Sequence, residues 1–415
     1  MKTTLHSHFL LSALIISVLT LATATDAVAK YQYSETTIHT FAGPSDGYIP
    51  ENLIVDQSGN LYGTTLEGGG ACVEKIGCGT VFEMSPKSGG GWSEKVIFAF
   101  NGTSDGSSPS GNLVMDAAGN IYGTTLTEGL VNGGGVVFEL SPSGSGWVET
   151  VLYDFTGFAD GGYPNGLTFD ASGNLYGTAA GGGANGFGAI YKLTNTGSGW
   201  TQSVLYSFAN SWDGASPSGP LLLDAAGNIY GTTGAGGSTK CDHGCGTVFR
   251  LSPTSTGWQF SRLYAFQGPG GQNPGGLHFD SAGNLYGVAA GGRGYGVVFE
   301  LSPTSSGQWK ETLLHDFTNG TDGANPSSIS FDASGTLYGA TNGVESTDAN
   351  TIFRLKPAAS GWVFSTIFVA AGRDTGIGLR APTVFDGSGN LFGVASDGLS
   401  TGAGSVYELS PPAMN

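Results

Sequence analysis

Apolar and polar residues alternate along this chain with a period of two. One run places Val151, Tyr153 and Phe155 on one side, the next Leu167 and Phe169, and a third Ala189, Tyr191 and Leu193. Alternation of this kind predicts half-buried β-strands. Long runs with helical spacing are missing, which removes coiled coils and helical membrane binders. Between Phe169 and Leu175 stands Asp170-Ala-Ser-Gly-Asn174, a tight-hairpin sequence in which Asp caps the turn and Gly takes the positive φ angle.

The pattern recurs. The aspartate that closes the first strand stands at Asp56, Asp116, Asp170, Asp224, Asp280, Asp332 and Asp386, at intervals of 60, 54, 54, 56, 52 and 54 residues. An aromatic-Gly pair follows each time, at Tyr62, Tyr122, Tyr176, Tyr230, Tyr286, Tyr338 and Phe392, and a later aromatic at Phe82, Phe138, Tyr191, Phe249, Phe299, Phe353 and Tyr407. Each unit reads as four short strands: a ends at the Asp, b carries the aromatic-Gly pair, c the later aromatic, and d starts with Trp. Seven units of four strands predict an all-β, seven-bladed β-propeller with four antiparallel strands per blade. A solenoid is the competing repeat architecture, but its units are usually shorter and its end units atypical.

Counting also predicts how the ring shuts. Strand d starts at Trp92, Trp147, Trp200, Trp258, Trp309 and Trp362, and the last unit stops after its strand c at Leu409. The missing strand lies at the other end of the chain. Tyr33 stands eight residues before Phe41, the spacing of Trp147 to Phe155. Residues 33–41 are therefore expected to complete the last blade and hide its open edge.

Composition agrees. The 73 glycines and 17 prolines among 415 residues could signal a disordered chain, yet 39% of residues are hydrophobic and the glycines recur beside the aromatics. Length alone would suggest two or three domains; the repeat replaces them with one, over residues 30–415. The net charge of −17, with no basic cluster, excludes a nucleic-acid binder, which needs a basic face to displace counterions. It suggests a soluble protein, expected to be a monomer, dispersed by self-repulsion.

Residues 1–29 read as a secretory signal peptide: Lys2, an apolar run from Phe9 to Leu21, then small residues ending Ala27-Val28-Ala29. Cleavage is expected before Lys30, with a site after Ala24 as the alternative. An uncleaved anchor is the remaining reading, although the run is shorter than the ~20 residues a span needs. No further span or tail anchor appears, so the mature protein is expected outside the cytoplasm, secreted, periplasmic or at the cell surface. In an oxidising compartment the close pairs Cys72/Cys78 and Cys241/Cys245 are expected to form two local disulfides. The alternative is a metal site on Cys241, Asp242, His243 and Cys245, for which C-x3-C is a poor zinc spacing.

The phrase Asp-x-x-Gly-Asn-Leu-Tyr-Gly-Thr, a Gly-rich gap, then Gly-Thr-Val-Phe-x-Leu-Ser-Pro stands at Asp56–Thr64 with Gly79–Met84, and again at Asp224–Thr232 with Gly246–Pro253. It resembles the GloVer tandem repeat, over essentially the whole mature chain. The resemblance implies a propeller-type fold in an exported or surface-associated protein. It implies no activity and supplies no catalytic residues. Relatives carry varied C-terminal sorting anchors, whereas this chain ends after strand c, so anchoring is not expected.

Seven copies of a residue point to architecture before chemistry. The hairpin aspartates are expected to be turn caps, the Trp series to cover blade edges or pack between blades, and the Tyr-Gly pairs to fill the core. A second series, Asp46, Asp105, Asp160, Asp213 and Asp322, precedes Gly in the d–a loops. These residues are expected to stabilise Asx turns; the alternative is a ring of acids around one channel mouth that holds calcium, for which one carboxylate per loop is a thin ligand set. Gly43-Pro-Ser-Asp-Gly47 and Gly102-Thr-Ser-Asp-Gly106 match the Gly-x-Ser-x-Gly pattern but lack its strand-to-helix setting and a His partner. His39 and His315 take the place of Tyr153, Tyr206 and Tyr264 and are expected to be packed strand residues.

Departures from the repeat say more. Trp212 is the one Trp outside strand d, in a d–a loop; Phe158 and Tyr163 occupy the preceding d–a loop, and Tyr48, Phe187, Arg293 and Tyr295 lie in other loops of the same face. An exposed aromatic cluster beside an Arg is a platform for a sugar ring or a peptide; the alternative is that these residues fill loop interiors. The leading expectation is a non-enzymatic exported module that binds an extracellular glycan or protein through this face. The alternative is a secreted lyase or hydrolase acting on a polysaccharide, and fold does not choose between them. Scarce histidines, sparse basic residues and no loop insertion that builds a pocket favour binding.

Overall fold

A computed structural model of the protein describes residues 33–412, except 71, 73–76, 128, 130–132, 145, 293, 344–349, 371–376, 380–383 and 398–401. Residues 1–29, read above as a signal peptide, lie outside the described residues. So does Arg293.

Seven sheets form the seven blades of a propeller. In blade 1 strands a to d are Tyr48–Val55, Leu61–Glu67, Thr80–Pro86 and Trp92–Ala99, each antiparallel to the next. Blades 2 to 6 repeat this plan, their first strands being Ser107–Met115, Gly162–Phe169, Ala215–Leu223, Gln272–Phe279 and Pro326–Phe331. Blade 7 is made of Leu391–Asp397 and Ser405–Ser410, with Ser34–Thr40 from the other end of the chain as its strand d. That closing strand runs antiparallel to strand c, from Ser34 opposite Ser410 to Thr40 opposite Ser405. The closure expected from counting is present. One detail differs: strand a of blade 7 is split into Ile377–Leu379 and Val384–Phe385, where the sequence between Phe368 and Val384 departs from the d–a pattern of the other units.

The core lies between blades. In blades 1 to 6 the strand-c aromatic meets the Phe that follows strand d of the preceding blade edge to face, as in Phe41–Phe82, Phe100–Phe138, Phe155–Tyr191 and Phe317–Phe353, with centroids 4.9–5.2 Å apart; ahead of blade 7 that position is Ala370. The aromatic-Gly pair serves this contact. A Cβ on Gly63 would come within 2.5 Å of Phe82 Cζ, so only Gly lets the ring lie across strand b. The Trp that opens strand d packs between blades on the preceding aromatic-Gly ring: Trp147 on Tyr62, Trp200 on Tyr122, Trp362 on Tyr286 and Trp92 on Phe392.

The a–b hairpins are built as the sequence predicts. Asp170 Oδ1 accepts the N–H groups of Ser172 and Asn174, and its Oδ2 accepts the Asn174 amide and the Tyr176 hydroxyl. Near the axis, successive first strands are joined by asparagines. Asn52 donates to Gly111 O at 2.6 Å, Asn112 exchanges two bonds with Leu167, and Asn165 Oδ1 accepts Gly219 N–H at 3.1 Å. Among the described residues no helix is long and apolar enough to cross a membrane.

Candidate functional site

The d–a and b–c loops share one face. In successive blades the b–c loop donates a backbone N–H to the d–a loop: Gly69 to Pro44, Gly129 to Thr103, Gly183 to Phe158 and Gly237 to Ser211. Within this face the second Asp series turns inward, each residue holding its own loop. Asp46 accepts the N–H groups of Ala42 and Gly43 and the Nε2–H of His39 at 3.3 Å. Asp160 accepts Thr156 N–H and the Tyr153 hydroxyl, Asp213 accepts Ala209 N–H and the Tyr206 hydroxyl, and Asp322 accepts Thr318 N–H and His315 Nε2–H. A carboxylate only accepts, so Nε2 carries the proton in both histidines. Burial lowers both imidazoles below their ordinary range despite the aspartates, so each is a neutral donor at neutral pH. His39 and His315 thus play the part of tyrosine in a strand d–loop bond.

Among the described d–a loops, two break the pattern. The loop entering blade 5 has no Asp, and there the Tyr264 hydroxyl donates instead to Glu311 of the next strand d, at 2.8 Å. In the loop entering blade 2 the strand residue is Phe98, which donates nothing; Asp105 accepts Asn101 N–H with Oδ2 while its buried Oδ1 has no partner. Glu149, two residues after Trp147, faces this loop, and Glu94 faces Asp46 in the same way. Burial first, and then the neighbouring aspartate, push both glutamates up to about 7. Sequence reasoning missed this position. Its signal is the residue two after each Trp, which reads Glu94, Glu149, Gln202, Phe260, Glu311 and Phe364.

Among the described residues no three His, Cys, Asp or Glu side chains gather to hold a metal. Cys72 is bonded to Cys78 and Cys241 to Cys245. The pairing the sequence predicts is present, and it removes the thiolate set that a metal at Cys241, Asp242, His243 and Cys245 would need.

Phe158, Phe187, Trp212 and Tyr295 lie in loops as expected, whereas Tyr163 and Tyr48 belong to first strands, Gly162–Phe169 and Tyr48–Val55. Phe158, Tyr163, Phe187, Trp212 and Tyr295 are open to solvent, from 39% exposed for Tyr295 to 65% for Phe158. Tyr48 is half-buried as the first residue of its strand, packed against the core between blades 7 and 1. It is wall, not platform, because the ring lies over Gly43, where a Cβ would strike it. The open rings are spread over the sectors of blades 3, 4 and 5 rather than stacked together.

Trp212 is the most elaborately held of them. Its ring is 57% exposed, yet the Arg262 guanidinium sits over it at 5.7 Å and Phe260 meets it edge to face at 5.5 Å. Arg262 also donates to the carbonyls of Trp212 and Gly237, at 2.7 and 3.1 Å, tying the d–a loop to the b–c loop. Beside the ring lies a cleft of about 700 Å³ lined by Asn210, Lys240, Asp242, His243 and Gln267. The expectation that no loop builds a pocket is therefore corrected. The b–c loop of blade 4, drawn into a ridge by the Cys241–Cys245 bond, forms a wall that hydrophobic patterning does not register.

Three solved structures resemble the chain over most of its length. A candidate 6-phosphogluconolactonase of Bacteroides uniformis is 13% identical with a TM-score of 0.52, covering 80% of this chain and 90% of that one. The extracellular domain of a candidate hybrid two-component system of B. thetaiotaomicron is 12% identical with a TM-score of 0.53, covering 92% of this chain and 41% of that one. PorZ, a bacterial surface component of the type-IX secretion system of Porphyromonas gingivalis, is 16% identical with a TM-score of 0.51, covering 90% and 48%. At such identities the likeness is one of fold. No curated protein matches the sequence. The model of the Gloeobacter/Verrucomicrobia repeat matches residues 23–178, 126–310 and 238–415. The repeat that sets the blades thus accounts for the whole propeller, and the chain belongs to the Gloeobacter/Verrucomicrobia repeat family.

Proposed function

We propose that this protein is an exported, non-enzymatic binding module whose loop face takes an extracellular glycan. The observation that carries the reading is Trp212, whose ring is fixed by Arg262 and Phe260 yet remains more than half exposed beside a cleft. A ring held in place loses little rotamer freedom on binding, so stacking energy is not spent on ordering it. Indole faces suit the C–H face of a sugar, while the cleft's amides and charged groups suit its hydroxyls. The signal-like leader and the two disulfides support export.

Polysaccharide cleavage is the competing activity. Glu149, which burial and the neighbouring Asp105 raise to about 7, is a candidate acid for such chemistry. Their unpartnered oxygens, Glu149 Oε1 and Asp105 Oδ1, are buried, so a glycosidic oxygen has no access to them, which argues for binding. A glycan array probed with the purified protein and with Trp212→Ala tests the reading. Binding by the parent and at least a tenfold loss in the variant is expected; equal binding by both discards Trp212 as the anchor.

A further inference from the structure

The ridge closed by Cys241–Cys245 has a depression on each side. Toward blade 4 lies the Trp212 cleft. Toward blade 5 lies a second one, of about 380 Å³, bounded by Gln272, Gly268, Gly291, Gly292 and Gly294. Lys240, Cys241 and Asp242 line both, so the two share a wall whose crest carries one positive and one negative side chain. Resting on the glycan reading above, we propose that the two depressions are adjoining subsites for one neutral, linear oligosaccharide that crosses the ridge, with one sugar against Trp212 and a following sugar beside Gln272.

The chemistry at each position fits this occupant. Sugar hydroxyls both donate and accept, and primary amides do the same. Asn210 supplies one amide in the first depression, and Gln272 supplies one in the second. Lys240 donates and Asp242 accepts at the crest, so the shared wall has no net charge to select a charged ligand. A polyanionic glycan would also meet the long-range field of a chain with net charge −17. In the second depression Gly291 and Gly292 have φ of +69° and +78°, and the Gln272 side chain lies across Gly291, where a Cβ would come within 2.7 Å of its Cγ. The glycine therefore lets Gln272 lie along the floor of the depression. The disulfide joins residues four apart, so the ridge between the subsites is a short covalent loop that needs little ordering when a ligand crosses it.

Isothermal titration with cello-, xylo-, manno- and laminari-oligosaccharides of one to six units, and with oligogalacturonate as the charged comparison, tests the arrangement. For the series that binds, affinity should rise at least tenfold between one unit and three and then level. Gln272→Ala, an exposed change, should abolish that rise while leaving single-unit binding in place; Trp212→Ala should weaken binding at every length. Affinity independent of length, an undiminished rise in Gln272→Ala, or tighter binding of oligogalacturonate overturns the two-subsite proposal and leaves the glycan reading intact. No binding by any member of the panel overturns both.

Discussion

Asp170 shows how much one side chain does in a hairpin of five residues. It accepts two backbone N–H groups, an amide and a hydroxyl, so Asp170→Ala leaves several donors without their acceptor. A loss of about 1–3 kcal/mol is expected, read as a lower denaturant midpoint. Desolvation raises this carboxyl, but the bonds from Asn174 and Ser172 and the charge of Lys192 outweigh it and hold the group below its ordinary range. A depressed acid contributes stability above its unfolded value and loses it as pH falls through the folded one. The hairpins of blades 2, 4 and 5 behave alike, so acid unfolding should set in below the usual Asp range and shift upward in Asp170→Ala. The seven caps were legible from sequence because a turn is local and its residues lie within six positions of one another. Trp212 was legible as a departure from the repeat. Arg262 was not, since its two carbonyl partners lie 50 and 25 residues away.

Strand d joins one blade to the loop beside it, and its third residue decides how. In blade 3 that residue is Gln202, whose amide donates to Asp160 O at 3.1 Å. In blades 1 and 2 the same register holds Glu94 and Glu149, each with a buried Oε1 that lacks a partner. A neutral carboxyl can donate there as glutamine does, whereas a charged one faces an aspartate. Because these folded values are raised to about 7, the associated stability is complete below the unfolded Glu value and is lost as pH rises toward 7. Thermal melts should therefore fall between about pH 4.5 and pH 7, and Glu149→Gln should flatten that fall. An unchanged slope in the variant would assign the dependence elsewhere. Strand order and parity were readable at this scale because alternation is periodic. The split first strand of blade 7 was not, since it lies where the d–a pattern lapses, and the strand-d glutamates were hidden because their role depends on a loop more than 40 residues away.

At the scale of the molecule, a repeated aromatic contact across the blade boundaries keeps the blades in register. In six of the seven blades the strand-c aromatic is buried against a Phe from the preceding blade, so Phe155→Ala should cost roughly 3–5 kcal/mol and loosen two sectors at once, seen as a lower melting temperature. Seven sectors were countable from sequence because each carries an aromatic, Phe or Tyr, at a matching place in its strands b and c. The ridge and its two depressions were not, since their form depends on how unequal loops meet across a blade boundary. Removing residues 30–42 should lower the melting temperature sharply, because the edge of Ser405–Ser410 would lose its partner; an unchanged melt would refute closure as a source of stability.

The pairing of Ser34–Thr40 with Ser405–Ser410 also fixes an order of events. Six sectors can form without the closing pair, but Ser34–Thr40 must wait, unpaired, until Ser405–Ser410 has been made. A product cut short before Ser405 would keep a bare edge at both ends of its arc and be open to proteolysis or to pairing with another truncated copy.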